Sequence, residues 1–190
     1  MSAEIAPAVA EMRDFSGPWG IGGGWAIDLF LGYQSRAHAD IDIALLRADQ
    51  PRLRALVAGR VQQVVAGCLV DWLPNQRLEL PVHEIHVAWP DGHQREFLLN
   101  EHDDATKDWV FRRDPRIRRA LAATFCAGPV APYLAPEIVL LYKAKSLTPK
   151  DTADFEAVVP RLDPGQSAWL RRALAQTTVG HPWLTSPHLL

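Results

Sequence analysis

Cysteine is scarce: Cys68 and Cys126 are the two in 190 residues, and no CxxC spacing joins them. Their scarcity excludes a disulfide-stapled scaffold and a zinc knuckle. Long apolar runs are missing as well, and none reaches the roughly 20 residues that a membrane-crossing helix needs. The N-terminal MSAEIAPAVAEM carries acids and no long apolar core, so it does not read as a signal peptide. Neither sign of charge dominates, with 20 Lys and Arg against 22 Asp and Glu and a net charge of −2. Such a balance gives no general attraction to nucleic acid or to an anionic membrane, and neither is expected as a partner. Internal repeats and low-complexity tracts are absent. A hydrophobic content of 48% is enough for one real core. The composition describes a reduced, cytoplasmic globular protein.

What is present is organised around Trp19 to Leu46, WGIGGGWAIDLFLGYQSRAHADIDIALL. Pro18 to Ile21 reads as the approach of a short buried strand. Gly22, Gly23 and Gly24 follow, then an apolar helix from Trp25 to Leu31 that Gly32 stops. Asp40 to Leu45 alternates at period two, as a half-buried strand does, with Asp40 and Asp42 on one face and Ile41 and Ile43 on the other. Two carboxylates about 7 Å apart along one strand face can converge on one or two divalent cations. Glycines at a strand-to-helix turn let backbone N–H groups approach an anion, which the helix N-terminus favours. The stretch therefore reads as a site for a nucleoside triphosphate with Mg²⁺. A Rossmann fingerprint fails because Trp25 stands where the third glycine belongs, and no Gly-Lys-Ser/Thr follows to make a P-loop.

Elsewhere, Ala3 to Phe15 has helical spacing at Ile5, Val9 and Met12, with Ser2 as N-cap, and is expected on the back of the sheet. Asp49 to Arg60 reads as a helix capped by Asp49 with Pro51 in its first turn. Gln62 to Val65 and Val70 to Leu73 are short strands. Val82 to Trp89 and Gln94 to Asn100 form a hairpin about a Pro90-Asp91-Gly92 turn, and a polar loop with His102, Asp103 and Asp104 comes after it. Beyond Gly128 and Pro129 the pattern turns helical, each segment opening with a proline at Pro136, Pro149 or Pro164. Pro160 is expected to end or kink the second of these. The boundaries give a front part, 1–127, and a helical portion, 128–190, packed on it.

Gly22-Gly23, a short helix and Asp40-Ile41-Asp42 together resemble the signature of the polymerase-beta-like nucleotidyltransferase superfamily. The fuller string GGGWAIDLFLG, followed by Arg36, His38 and DID, is similar to aminoglycoside adenylyltransferases of the 2''-O type. The segments APEIVLLYKAKSLTPKDTADFEAVVPRLD, WVFRRDPRIRR and HPWL share that resemblance. It implies an α+β fold: a nucleotidyltransferase mixed sheet with flanking helices and a small C-terminal helical part. It implies Mg²⁺, two ions, with ATP as substrate and AMP passed to a hydroxyl of a small molecule, such as an aminoglycoside-like antibiotic. It further implies a third acid on a neighbouring strand that shares the metal or accepts the acceptor's proton. Glu96 is the candidate, although aspartate is more usual there, with Glu84 on the facing strand and Glu101 as competitors. Lys143 and Lys150 are tilted by the same resemblance toward nucleotide contact.

Other residues weigh differently. Arg36 suits a phosphate contact, His38 is poised between that role and holding the loop, and Asp28 is structural. His83 and His86 in HEIH lack the helical HExxH spacing, so zinc is not indicated. Arginines 112, 113, 116, 118 and 119 read as a solvated or ion-paired face, some within reach of a triphosphate. Trp72, Trp89 and Trp109 belong to core or pocket wall. The expected catalytic and metal set is thus Asp40, Asp42 and Glu96, and the nucleotide-binding set is Gly22, Gly23, Gly24, Arg36, His38, Lys143 and Lys150. The other class of function is a non-catalytic nucleotide-binding module, such as the nucleotidyltransferase partner of a toxin–antitoxin pair. One chain or a homodimer would serve either.

Overall fold

The computed structural model describes residues 2–57, 60–90 and 92–189. Among them the chain forms one mixed sheet with helices on both faces. The strands are β1 (Trp19–Ile21), β2 (Asp42–Leu46), β3 (Arg60–Val65), β4 (Cys68–Asp71), β5 (Glu84–Ala88), β6 (Gln94–Asp103), β7 (Asp108–Val110), β8 (Arg118–Ala120), β9 (Phe125–Cys126) and β10 (Tyr133–Leu134). Their order is β4-β3-β5-β6-β2-β1-β10-β9, with β7 and β8 branching from the outer half of β6. The β2–β6 and β1–β10 pairs are parallel and the remainder antiparallel. The α+β mixed sheet expected from the sequence is the architecture observed.

Alternation along the central strands divides the molecule into two cores. Ile43 and Leu45 on β2, Phe97 and Leu99 on β6, and Ile85 and Val87 on β5 are buried on the back face. There they meet helix α1 (Ser2–Glu11) through Ile5, Ala8 and Met12, a 3–4 spacing that turns one stripe inward. The front face holds Asp42, Ala44, Glu84, His86, Glu96 and Leu98, and its polar content is why no helix seals it there. The second core joins helix α2 (Gly23–Leu31) to α4 (Pro136–Lys143), α5 (Pro149–Val158) and α6 (Pro164–Thr177). Ala26, Ile27 and Leu31 share it with Ile138, Phe155 and Leu170, so apolar packing runs unbroken across residue 128. Strand β10, itself beyond 128, also pairs with β1.

Each of the three C-terminal helices begins at its proline, as the sequence indicates. Two gain a capping box, Thr148 with Asp151 and Asp163 with Gln166. Pro160 lies inside a single 3₁₀ turn, Val159–Arg161, that follows α5 directly. Other boundaries moved. Asp49 does not cap helix α3 (Gln50–Leu56); it sits in a 3₁₀ turn and pairs with Arg52 instead. Arg60, expected to end that helix, opens β3 instead, while Ala58 and Gly59 before it and Asp91 of the hairpin turn lie outside the described residues. His102 and Asp103 are strand rather than loop, because β7 pairs opposite them and satisfies their backbone groups. Asp40 and Ile41 precede β2, which starts only at Asp42.

Trp109 joins the strand layer to the helices. It is fully buried, its ring lies 6.1 Å from Tyr142 and 6.2 Å from Trp169, and its indole N–H donates to Asn100 Oδ1 at 3.0 Å. Replacing it with alanine is expected to lower unfolding free energy by about 3–5 kcal/mol in urea titrations. A midpoint unchanged from the parent would show that the two layers are not held there.

Candidate active site

The glycine turn is built around one side chain. Gly22 caps α2, and its amide donates to the Asp42 carbonyl at 2.8 Å. Gly23 has φ +53, and a Cβ there would overlap the Asp42 carboxylate. A Cβ on Gly24 would meet His38 and Arg36. The sequence Gly-Gly-Gly is thus needed for close approach as well as for the turn, and it sets the α2 N-terminus directly against Asp42.

Asp42 has acidic company. It lies opposite Glu96 in the parallel β2–β6 register, and Glu96 lies opposite His86 across β6–β5. His86 Nε2 is 2.6 Å from Glu84 Oε1, and its Nδ1 is 4.0 Å from Glu96 Oε1. One ligand atom from each of Glu84, His86 and Glu96 falls within 4.8 Å of the others. Asp40, in the preceding loop, is exposed. Desolvation by burial, then the charges of Asp40, Glu96 and Glu84, push the Asp42 carboxyl up to about 7, against a smaller pull from Lys143. Burial also raises Glu96, with His86 opposing and Glu84 and Asp40 adding to the rise. Carboxylates placed this closely cannot all ionise without a cation among them. A set of hard oxygen donors is what Mg²⁺ prefers, so the residues fit a divalent metal. Glu101, the distant competitor, is engaged elsewhere by Arg47 at 2.6 Å.

The loop between α2 and β2 is folded on a buried carboxylate. Asp28 is fully buried and accepts from Ser35 N at 3.0 Å and Ser35 Oγ at 2.5 Å, with His38 Nε2 also at 2.5 Å. The His38 ring lies 4.5 Å from that of Trp25, tilted by 40°, and its side chain presents almost no surface. Arg36 places its fork on Asp154 of α5, at 3.1 and 3.2 Å. Lys143 Nζ bridges Asp151 at 3.1 Å and Asp154 at 2.9 Å. Arg36, His38 and Lys143 therefore stand beside the site with carboxylate partners of their own, while Lys150 is exposed on its rim. A cleft of about 430 Å³ results, lined by Gly23, Asp42, Glu84, Lys143, Lys150 and Asp151 among others. A larger groove of about 580 Å³, between Val159 and Leu189, has no acid pair or glycine turn and lies away from this chemistry.

A glycine turn pressed on Asp42, with Glu96 opposite on the neighbouring strand, is the arrangement that the sequence resemblance to nucleotidyltransferases implies. Residues 4–122 match the profile of the aminoglycoside-2''-adenylyltransferase family. The chain belongs to that family. It is accordingly a nucleotidyltransferase enzyme. Among solved structures, ANT(2'')-Ia in complex with adenylyl-2''-tobramycin is similar, with a TM-score of 0.61 and 18% identity over 93% of this chain and 98% of that one. The lincosamide antibiotic adenylyltransferase LnuA, lincomycin-bound, gives a TM-score of 0.56 and 17% identity over 83% of this chain and 95% of that one. An antigenic nucleotidyltransferase-like protein from Paracoccidioides brasiliensis gives 0.52 and 17% over 99% and 91%. At such identities these likenesses concern the fold alone. No curated protein sequence matches significantly.

This adenylyltransferase-family chain also holds groups at the site that the sequence did not announce. His86 was set aside with His83 as a failed zinc pair, yet Glu84-x-His86 has the period that puts both on the face of Glu96. Asp151 and Asp154 belong to the KDTADF stretch of the segment that carries the resemblance, and packing gives them their place beside the site as partners of Lys143 and Arg36.

Two outcomes are expected, the first for the metal-free protein and the second for the working enzyme. In Asp42→Asn the repulsion disappears. Below the ordinary carboxyl value of 3.8 both native and unfolded parent hold the proton, so the variant gains nothing. As pH rises toward about 7 the unfolded parent releases a proton that the native one retains, so the parent loses stability and the variant does not. The variant should be more stable by about 1–3 kcal/mol at pH 8 in EDTA, after allowance for solvent screening. Equal stability of the two proteins at pH 8 would contradict the repulsion. Gly23→Ala should unsettle the turn and reduce turnover at least about tenfold while the fold persists by circular dichroism; parental turnover would show the close approach to be dispensable.

Proposed function

We propose that this enzyme transfers AMP from ATP, with Mg²⁺, to a hydroxyl of a small antibiotic-like molecule. The observation that carries the proposal is Asp42, wedged against the glycine turn, opposite Glu96, and raised to about 7 by burial and then by the acids around it. Asp40, Asp42 and Glu96 would hold the metal, two ions in the full site. Mg²⁺, when bound, supplies neutralising charge to phosphate oxygens. The backbone of Gly22, Gly23 and Gly24 and the α2 N-terminus orient the phosphates for in-line attack. Lys150 adds a cation at the rim, and Arg36, His38 and Lys143 hold the wall that faces the nucleotide.

In the step itself the acceptor oxygen forms a bond to the α-phosphorus, and the bond from that phosphorus to the α–β bridging oxygen breaks. Pyrophosphate leaves with that electron pair. The acceptor's proton passes to a carboxylate, for which the candidates are Glu96, opposite Asp42, and Glu84, which lines the cleft with Asp42 and Asp151. The tobramycin adduct bound by ANT(2'')-Ia and the lincomycin bound by LnuA support an antibiotic as acceptor. Residues 128–190 supply Lys143, Lys150, Asp151 and Asp154 to the wall, and we take them as a helical portion serving the site of the 1–127 domain. Every residue named comes from one chain, and ATP as donor accords with a cytoplasmic location.

Pyrophosphate release from ATP and Mg²⁺ across aminoglycosides and lincosamides tests this proposal. Release should require an acceptor and fall by about a thousandfold in Asp42→Ala, with a comparable loss in Glu96→Gln. Release that survives Asp42→Ala would refute the site. ATP binding with no release for any acceptor would favour the non-catalytic nucleotide-binding module.

A further inference from the structure

The basic run from Phe111 to Leu121 divides in two. Arg116 pairs with Asp114 at 2.7 Å, Arg118 with Asp103 at 2.7 Å, and Arg119 with Glu137 at 2.5 Å. Arg112 and Arg113 are different. Both line the cleft that contains Asp42, and among the described residues neither has a carboxylate within ion-pairing distance. Each guanidinium lies over the Tyr142 ring, at 5.3 Å and 5.4 Å, and Arg113 Nη1 donates to the Tyr142 carbonyl at 3.1 Å. Arg112 also bonds the Tyr142 side chain, whose hydroxyl burial pushes up to about 12, so that ring remains neutral and supplies no counter-charge. Burial lowers the pKa of both arginines; the charge of Arg112 lowers Arg113 further, while at Arg112 Tyr142 and Glu84 oppose the lowering and Arg47 adds to it. Two adjacent cations held in a cleft by an aromatic ring, with no carboxylate of the described residues within ion-pairing distance, form a preorganised receptor for a multiply charged anion.

We propose that Arg112 and Arg113 are a guanidinium clamp for the polyphosphate part of the nucleotide, gripping the β- and γ-phosphates and then the departing pyrophosphate. The assignment rests on nucleotidyl transfer at this cleft and adds residues that the glycine turn and the carboxylates do not include. The terminal phosphates are the most densely charged ligand group the reaction brings to the cleft, and planar guanidiniums bind phosphate oxygens in pairs. The clamp also favours the transition state, because negative charge accumulates on the leaving oxygen as the bond to the α-phosphorus breaks. Tyr142 is a positioning residue: it holds the two forks rather than touching the substrate.

Calorimetric titration of the full chain with Mg²⁺-pyrophosphate and, separately, with AMP tests the clamp. Arg112→Gln with Arg113→Gln should weaken Mg²⁺-pyrophosphate at least about tenfold and leave AMP affinity within about twofold. Arg112→Lys with Arg113→Lys, which keeps charge and loses the fork, should weaken pyrophosphate less than the glutamine pair and keep the parental melting temperature. Unchanged pyrophosphate affinity in the glutamine pair overturns the clamp. An equal loss of AMP and pyrophosphate overturns it as well, since the arginines would then be supporting the cleft as a whole. Pyrophosphate binding that depends on the arginines in a protein that releases none from ATP would keep the clamp and defeat the transfer reaction instead.

Discussion

The repulsion among Asp40, Asp42, Glu84 and Glu96 is the constraint on which the site depends. Folding gathers these carboxylates at the front of the sheet, and burial of Asp42 together with that gathering keeps a proton on it near neutrality. Nothing in the hydrophobic packing requires it: Ile43, Leu45, Phe97 and Leu99, one residue away on the same strands, would secure the back core with any small polar residues in front. A strand pair that places unlike faces on opposite sides permits the molecule to be stable behind and strained before. Cation binding turns that strain into affinity, because the ion gains most where carboxylates are already assembled.

A second network sets the wall of the cleft. Asp28 gathers Ser35 and His38, Arg36 reaches Asp154, and Lys143 spans Asp154 and Asp151. The chain of contacts ties the loop after the glycine helix to two helices more than a hundred residues later. Paired charges with both partners largely buried hold geometry more than they add stability. Their effect here is to fix the approach between α2 and α5, and so the width of the space in front of Asp42. Arg112 and Arg113, without a carboxylate at ion-pairing distance among the described residues, remain for a ligand together with Lys150 at the rim.

Much of this was legible in the sequence. The glycine turn, the apolar helix and the DID strand are contiguous, so local rules identified them, and the family relationship follows the same residues. The prolines that open α4, α5 and α6 also carry their meaning locally. What was not legible depends on register and distance. That Glu96 faces Asp42, while Glu84 and His86 sit one strand further along, follows from pairing between segments whose alignment no single strand encodes. Arg36, His38 and Lys143 have the chemistry of phosphate ligands, and only the tertiary structure shows the acids already holding them. Asp49 has a capping residue's identity but lies in a 3₁₀ turn and answers to Arg52.

The most direct measurement of the central claim is a Mn²⁺ titration of the full chain, followed by electron paramagnetic resonance, with and without a non-hydrolysable ATP analogue. Mn²⁺ reports on an oxygen-donor site that would take Mg²⁺. The account predicts saturable binding that tightens with the analogue, strengthens as pH rises through about 7, and is abolished by Asp42→Asn. Binding that is absent, or that persists unchanged in Asp42→Asn, would contradict it.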